Sequence, residues 1–379
     1  MCTCSPDARW AGPRADAPEC SPAAAPAIPR AIPAFVRDVG TISVFAVYSR
    51  RPHRHRSRPP FSRGRLTDLL DNSTTSSLFI VTNPIVQSHN SPVYRFAVGD
   101  FECAALAANT WEIPSPHPFF APQATAEQFA AALAKESLPA SPIRLYFNVL
   151  LIRNGRQNIL IDAGFAKNSV PAVFDVASNL SALGLTPSDI DVVILSHAHG
   201  DHMGGLLDES GKQVFAGAQH FCSTEEIAFW TGPTPDFSES RLDEKSRASS
   251  IAAARRIFES ISFTRITPST VLPDGLTALL APGHTPGHMN FRIRSGSEIL
   301  HHMMDLAHHF ALMPPHPDWT VAFDVNSKLA AATRREIFPR LAAEGVRVFG
   351  YHVPFPGLGR IQVSGDAFRW VPELWNAHL

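Results

Sequence analysis

Cysteine is scarce in this chain, and it is poorly placed for cross-linking. Five cysteines occur in 379 residues; Cys2, Cys4 and Cys20 fall in a Pro/Ala-rich head, which leaves Cys103 and Cys222 for the body. Two cysteines in so large a body make no disulfide framework, so the expected compartment is reducing and cytoplasmic. No run of about 18 apolar residues appears, so the sequence offers no membrane-spanning helix. Internal repeats are missing too, which argues against a solenoid or propeller. Net charge is almost absent, with 33 Lys+Arg against 34 Asp+Glu. That balance argues against a nucleic-acid or other polyanion partner for the whole protein.

Proline, in contrast, is abundant, and its 33 residues are too many for packed helices and sheets alone. Residues 1–90 hold 11 Arg, no Lys and 6 acidic residues, a net charge of +5, and the remainder carries −6. Stretches such as CSPAAAPAIPRAIP and RRPHRHRSRPPFSRGR lack the apolar content for a core, so residues 1–89 are expected to be a disordered extension. Its histidines His53 and His55 are expected to be solvated. An Arg-rich, acid-poor head also fits an organelle transit peptide or a start codon assigned too far upstream. The apolar stretch Thr41–Tyr48 is too short to span a membrane and lacks signal-peptide flanks.

From residue 90 to 379 the pattern is that of one folded domain. VYRFAVGD and FECAALAA flank Gly99-Asp100 and read as a hairpin. IRLYFNVLLIR and QNILIDAG surround Asn154-Gly155, a pair that predicts a type I′ turn. A helix is expected from about Val173 to Leu183, followed by DVVILS, a β-branched run suited to a buried strand. Ser223 and Glu226 form a capping-box pair ahead of a helix through Trp230. Strands return at LTALLAP, MNFRIR and EILHHMM. A long amphipathic helix is predicted from about Asn326 to Ala343, then VRVFGYH and a last hairpin, GRIQVS with AFRWVPE. Strands alternate with helices but include several hairpins, which predicts an α/β domain with mixed sheet flanked by helices.

The segment Ser196-His197-Ala198-His199-Gly200-Asp201-His202-Met203-Gly204-Gly205 closes the DVVILS strand with four potential metal ligands. Two imidazoles two residues apart in a turning loop can face one ion, while the following Asp and His project toward a second position. Imidazole with carboxylate suits zinc, and also manganese, cobalt or iron. Further on come His284 in APGHTPGH, Asp305 in HHMMDLAHH and His352 in GYHVPFPGLG, each expected at a strand end. His301, His302, His308 and His309 flank Asp305. They are expected to face outward or to be satisfied polar groups, with at most one supporting a ligand. His288 is expected to be structural or to support a ligand.

This set resembles the metallo-β-lactamase superfamily, with its HxHxDH pattern, later His, bridging Asp and last His, preceded by the Asp162-Ala163-Gly164 element. The resemblance runs from about Val93 to the C-terminus and implies a four-layered αββα sandwich of two mixed β-sheets flanked by helices. It also implies two divalent metal ions, one held by His197, His199 and His284 and the other by Asp201, His202 and His352. Asp305 would bridge them together with a hydroxide. Asp201 and Asp305 would be the catalytic carboxylates of a hydrolase.

HVPFPGLGRIQVSGDAFRWVP and EEIAFW are similar to segments of the methyl parathion hydrolase-like and lactonase-like group, which implies an aromatic pocket wall from Trp230, and Phe174 is a further candidate to line an apolar leaving-group pocket. Departures are Met304, where the superfamily usually has Gly before the bridging Asp, Asn109, where Asp-Gly is common, and KSRASSI, which lacks a second pocket aromatic. The expected function is hydrolysis of a small ester, whether a lactone, an aryl or alkyl ester, or a phosphotriester. The alternatives are a glyoxalase II-like thioesterase, a nucleic-acid-processing metallohydrolase and a degenerate binding module. A small-molecule partner, no nucleic acid, no membrane and a homodimer are expected.

Overall fold

The computed structural model describes residues 90–167 and 174–376. The N-terminal extension with His53 and His55 lies outside the described residues, as does the first residue of the helix expected from Val173. The first described elements are the expected hairpin, β1 (Val93–Val98) and β2 (Phe101–Ile113), paired antiparallel around Gly99. That glycine takes a left-handed φ of +55°, and a Cβ there would overlap the Ser295 carbonyl. Strand β2 pairs antiparallel with β3 (Ile143–Arg153), and β3 with β4 (Asn158–Ile161).

The β3–β4 connection is not the two-residue turn that Asn154-Gly155 predicted. Four residues form it, and of the pair only Gly155 has positive φ, at +84°. Asn154 builds the turn with its side chain, whose Oδ1 accepts the N–H groups of Arg156 and Gln157.

After β4 the sheet becomes parallel, adding β5 (Val192–Leu195), β6 (Gln219–Ser223) and β7 (Phe263–Ile266). All four residues of β5 are buried, as expected for a strand covered on both faces. Helices α1 (Ala126–Lys135), α2 (Val176–Ser181), α3 (Gly200–Met203), α4 (Thr224–Thr231) and α5 (Glu244–Ser260) occupy the connections. α2 is shorter than predicted, because Asp175 takes the N-cap position and accepts from the Ala177 and Ser178 amides.

The second sheet has six strands in the order β13-β12-β11-β10-β9-β8. They are β8 (Leu276–Leu280), β9 (Met289–Ser295), β10 (Glu298–His302), β11 (Arg347–Phe349), β12 (Leu358–Ser364) and β13 (Ala367–Pro372). Only β10 and β11 run parallel, joined by α6 (Ser327–Glu344), which packs on β12. Two mixed sheets flanked by helices make the α/β sandwich expected of the sequence. Phe96 of the first sheet stacks on Phe349 of the second at 6.3 Å. Fully buried Phe120, Phe129, Phe147, Phe291, Phe338 and Phe349 fill the interior, each stabilising by about 1.5–3 kcal/mol relative to exposure.

This architecture gathers the chemistry at strand ends. Asp162 follows β4, His197 follows β5, His284 follows β8, Asp305 follows β10 and His352 follows β11. Among the described residues no helix is long and apolar enough to cross a membrane.

Candidate metal centre

The loop after β5 is built from beneath. Asp162, fully buried, accepts the Ser196 amide and the Ser196 hydroxyl, both at 2.7 Å, and takes a left-handed φ of +64°. His199 then acts as the extended N-cap of α3, which places Asp201 and His202 in that helix's first turn. Gly204 and Gly205 let this turn press on the segment after β4. A Cβ at Gly205 would overlap the Ala163 carbonyl, and one at Gly204 the Ala166 amide.

Among the described residues four overlapping groups of donor atoms result, in each of which the atoms lie within 4.8 Å of one another. Two of them hold the seven expected ligands, His197, His199 and His284 in one and Asp201, His202, Asp305 and His352 in the other, and the remaining two join Asp305 to His197 and His288 or to His284 and His308. Hydrogen bonds behind the rings fix which nitrogen faces inward. His284 donates its Nδ1–H to Asp324 at 2.7 Å, His202 donates to Asp162 at 2.6 Å, and His352 donates to the Tyr146 carbonyl at 2.8 Å. Each therefore turns a Nε2 lone pair to the centre. His199 Nδ1 lies 3.2 Å from His197 Nε2 and 2.9 Å from His284 Nε2. A tetrahedral ion with nitrogen ligands at 2.0–2.1 Å spaces them by roughly 3.3 Å. Asp305 Oδ2 stands between the groups, 3.3 Å from His284 Nε2, 3.2 Å from His202 Nε2 and 3.0 Å from His352 Nε2. Asp305 Oδ1 and His202 Nε2 are buried with no hydrogen-bond partner. Converging lone pairs and orphaned buried atoms fit divalent cations and are costly without them.

Met304, the departure before Asp305, is buried with a φ of +45°. The backbone keeps the left-handed turn that glycine would adopt freely, and the methionine side chain bears the strain. Asn109 sits buried at a bulge in β2 and accepts the Thr110 amide.

None of the four histidines around Asp305 faces outward; all are buried, and three follow the other expected course as hydrogen-bonded polar groups. His302 and His309 accept the Met304 and Ala311 amides, and His301 meets Asn290. His308 differs. Its Nε2 lies 3.2 Å from Asp305 Oδ2, and neither ring nitrogen has a hydrogen-bond partner. His288 is structural: Nδ1 donates to the Ala281 carbonyl and Nε2 accepts the Asp305 amide, which leaves no lone pair for an ion.

Burial, then the neighbouring histidines, hold His197 and His199 well below their ordinary pKa, the neutral form a ligand requires. Burial also opposes charge on Asp305, yet His202, His352 and His197 hold its carboxyl well below the usual range. Asp324 was not foreseen in the sequence. It is buried and takes the Val321 amide as well as His284, so it fixes the ring. Asp324→Ala is expected to lower metal affinity and kcat/KM by roughly 10–100-fold, measured by chelator competition and steady-state rates; an unchanged affinity would show that His284 needs no such support.

Residues 144–300 match the family model described as the metallo-beta-lactamase superfamily. Among solved structures the chain is similar to "AidC, a Dizinc Quorum-Quenching Lactonase", at 29% identity over 76% of this chain and all of that one, with a TM-score of 0.71. A "hydrolase AbOPH in beta lactamase superfamily" matches at 24% identity over 76% of this chain and all of that one, TM-score 0.69. A probable metal-dependent hydrolase from Staphylococcus aureus matches at 19% over 74% and all of that chain, TM-score 0.58. This chain carries a metallo-β-lactamase superfamily domain. The family match spans the candidate ligands from His197 to His284 and stops short of Asp305 and His352.

Over the ligand cluster of this metallo-β-lactamase domain lies a cavity of about 310 Å³, with His199, Asp201, Asp305 and His352 in its lining. Trp111, Phe119, Phe120, Phe147, Phe165 and Phe323 supply its aromatic walls. A larger hollow of about 540 Å³ adjoins at Phe165, Gly200 and Asp201, but neither Asp305 nor any histidine lines it. Trp230, expected in the pocket wall, is fully buried behind the site. Its indole N–H donates to Glu226 at 2.7 Å and its ring lies 6.0 Å from that of His199. Phe174, half-buried before α2, does not line the cavity either. In the KSRASSI stretch, Ser250 reaches the wall in place of an aromatic.

Proposed function

We propose that this protein is a dinuclear metal-dependent hydrolase that opens a small ester, foremost a lactone bearing an apolar acyl chain. The observation that carries the reading is Asp305 Oδ2, 3.3 Å from His284 Nε2 of one donor group and 3.2 and 3.0 Å from His202 and His352 of the other, in the lining of an aromatic-walled cavity. His197, His199 and His284 would hold one divalent ion, and Asp201, His202 and His352 the other, with Asp305 common to both; zinc suits this donor set. When bound, such a pair of ions supplies an acidified water near neutral pH and polarises the ester carbonyl.

The chain's own residues do the rest. Trp111, Phe119 and Phe147 take the apolar part of the substrate out of water and direct its ester toward Asp305. Asp201 and Asp305 are the carboxylates lining the cavity; Asp305 would be committed to both ions, so the more exposed Asp201 is the one placed to hold a proton at Oδ and return it to the leaving oxygen. Support for a lactone comes from the similarity to the dizinc lactonase, whose structure holds a homoserine product. A thioesterase acting on a glutathione-like acid is disfavoured, since no Arg or Lys is among the described residues that line the cavity.

Trp111 and Phe119 are 50% and 43% exposed at the cavity, so their loss costs little stability. Trp111→Ala and Phe119→Ala are each expected to raise KM roughly 10-fold for a long-chain acyl lactone, with kcat and short-chain substrates affected far less. A panel of lactones, aryl esters, thioesters and phosphotriesters tests the reading. Turnover of thioesters or phosphotriesters alone would overturn the assignment to lactones.

A further inference from the structure

Glu226 does not complete the capping box that its spacing from Ser223 predicted. Its backbone N–H does bond to Ser223 Oγ at 3.0 Å. Its carboxylate, fully buried, turns the other way and accepts four donors. Oε1 takes the Ala198 amide at 2.8 Å and the Trp230 indole at 2.7 Å. Oε2 takes the Thr285 hydroxyl at 2.6 Å and the Gly287 amide at 3.0 Å. Ala198 stands between His197 and His199, and Thr285 follows His284. All three members of one donor group are therefore within one residue of a bond to this carboxylate, and Trp230 also packs on the His199 ring. No such bond reaches Asp201, His202 or His352.

The fit is tight on the far side too. Ser223 Oγ donates to the Gly287 carbonyl at 2.8 Å, and a Cβ at Gly287 would overlap the Glu226 amide. Two loops far apart in sequence thus meet on the two oxygens of one side chain. We propose that Glu226 is a positioning residue that staples the His197–His199 loop to the His284 loop and so presets the three-histidine metal position without supporting the other. This role rests on the dinuclear reading above.

Glu226→Gln is the discriminating change, because it keeps the volume and removes one acceptor. Its amide must face either Ala198 and Trp230 or Thr285 and Gly287, and in each orientation an N–H group meets a backbone N–H donor. Zn²⁺ binding to metal-free protein would be followed by chelator competition, and Co²⁺ loading by visible absorption, in wild type, Glu226→Gln, Thr285→Val and His284→Ala. The expected result is a loss of roughly 10–100-fold in one of two binding steps of Glu226→Gln, the same step that His284→Ala abolishes. The Co²⁺ spectrum of that step should change while the other stays as in wild type. Thr285→Val, which removes one donor and keeps shape, should weaken the same step less.

Equal weakening of both steps with a lowered melting temperature would make Glu226 a fold-stabilising group and overturn the proposal, as would two unchanged steps. Should Glu226→Gln fail to fold, the Thr285→Val arm decides on the same criterion. The wild-type arm reports on the underlying reading separately: a wild type that takes up no metal removes that reading, and the proposed role with it.

Discussion

Replacing Asp305 with alanine is expected to lower kcat/KM by roughly 10³-fold or more, at least the scale seen for losing one essential electrostatic group in an active site, and to empty both metal positions. The reason is geometric. Asp305 is 2% exposed, and its Oδ2 lies within 3.0–3.7 Å of ring nitrogens from His352, His202, His308, His284 and His197. Its Oδ2 thus lies within 3.7 Å of ring nitrogens from both donor groups. Without it, five buried imidazoles lose the anion they share, Asp201 reaching only His202 at 3.3 Å and His352 at 3.5 Å, and two cations would be brought together with far less charge to offset their repulsion. His301→Asn, in the same sheet but paired with Asn290, should keep activity within a few-fold. Metal content and rates on the two variants check this; a metal-loaded Asp305→Ala enzyme near wild-type rate would place the chemistry elsewhere.

Asp162→Ala should be the most damaging change to stability near the site. Three donors converge on that buried carboxylate: the Ser196 amide, the Ser196 hydroxyl and His202 Nδ1. Removing that carboxylate leaves these three buried donors without a partner, at about 1–3 kcal/mol each, which for a domain of this size lowers the melting temperature by on the order of 10 °C. Asp162→Asn separates stability from function. It keeps the volume and one acceptor, but its amide competes for the wrong face of His202 and favours the tautomer with hydrogen on Nε2, the atom needed at the centre. That variant is expected to melt within a few degrees of wild type while metal affinity falls roughly 10–100-fold. Thermal melts and chelator competition on both variants check the split; matched losses in the two would refute the tautomer argument.

Much of this was legible in the chain because local pattern and tertiary environment agreed. The buried β-branched run before Ser196 made β5, and the Asn326 cap opened α6. The ligand motif, dense and followed by single His and Asp residues at strand ends, named in advance the seven residues that the structure brings together. What was missed depends on contacts distant in sequence. Asp324 lies 40 residues beyond the ring it holds and sits in an unremarkable loop. Asn148 reads as a polar interruption in β3, yet its amide donates to the Gly350 and Val353 carbonyls and pins the loop carrying His352. Glu226 matched a local capping rule and obeyed a stronger tertiary demand, since four buried donors outweigh one solvent-replaceable cap bond. Trp230 sat in a segment resembling a pocket wall, but its N–H required a partner, and Glu226 draws it behind His199. The Asn154-Gly155 pair failed for a smaller reason: the asparagine side chain can cap the turn itself and so has no need of positive φ.

The most direct test is elemental analysis of metal per chain on protein purified without added metal, repeated after chelation and after reconstitution, with a lactone assay on each sample. The account predicts about two divalent ions per chain, activity lost on chelation and activity restored when both ions return. A chain that binds no metal, or one that keeps its lactonase rate after complete removal, would contradict it.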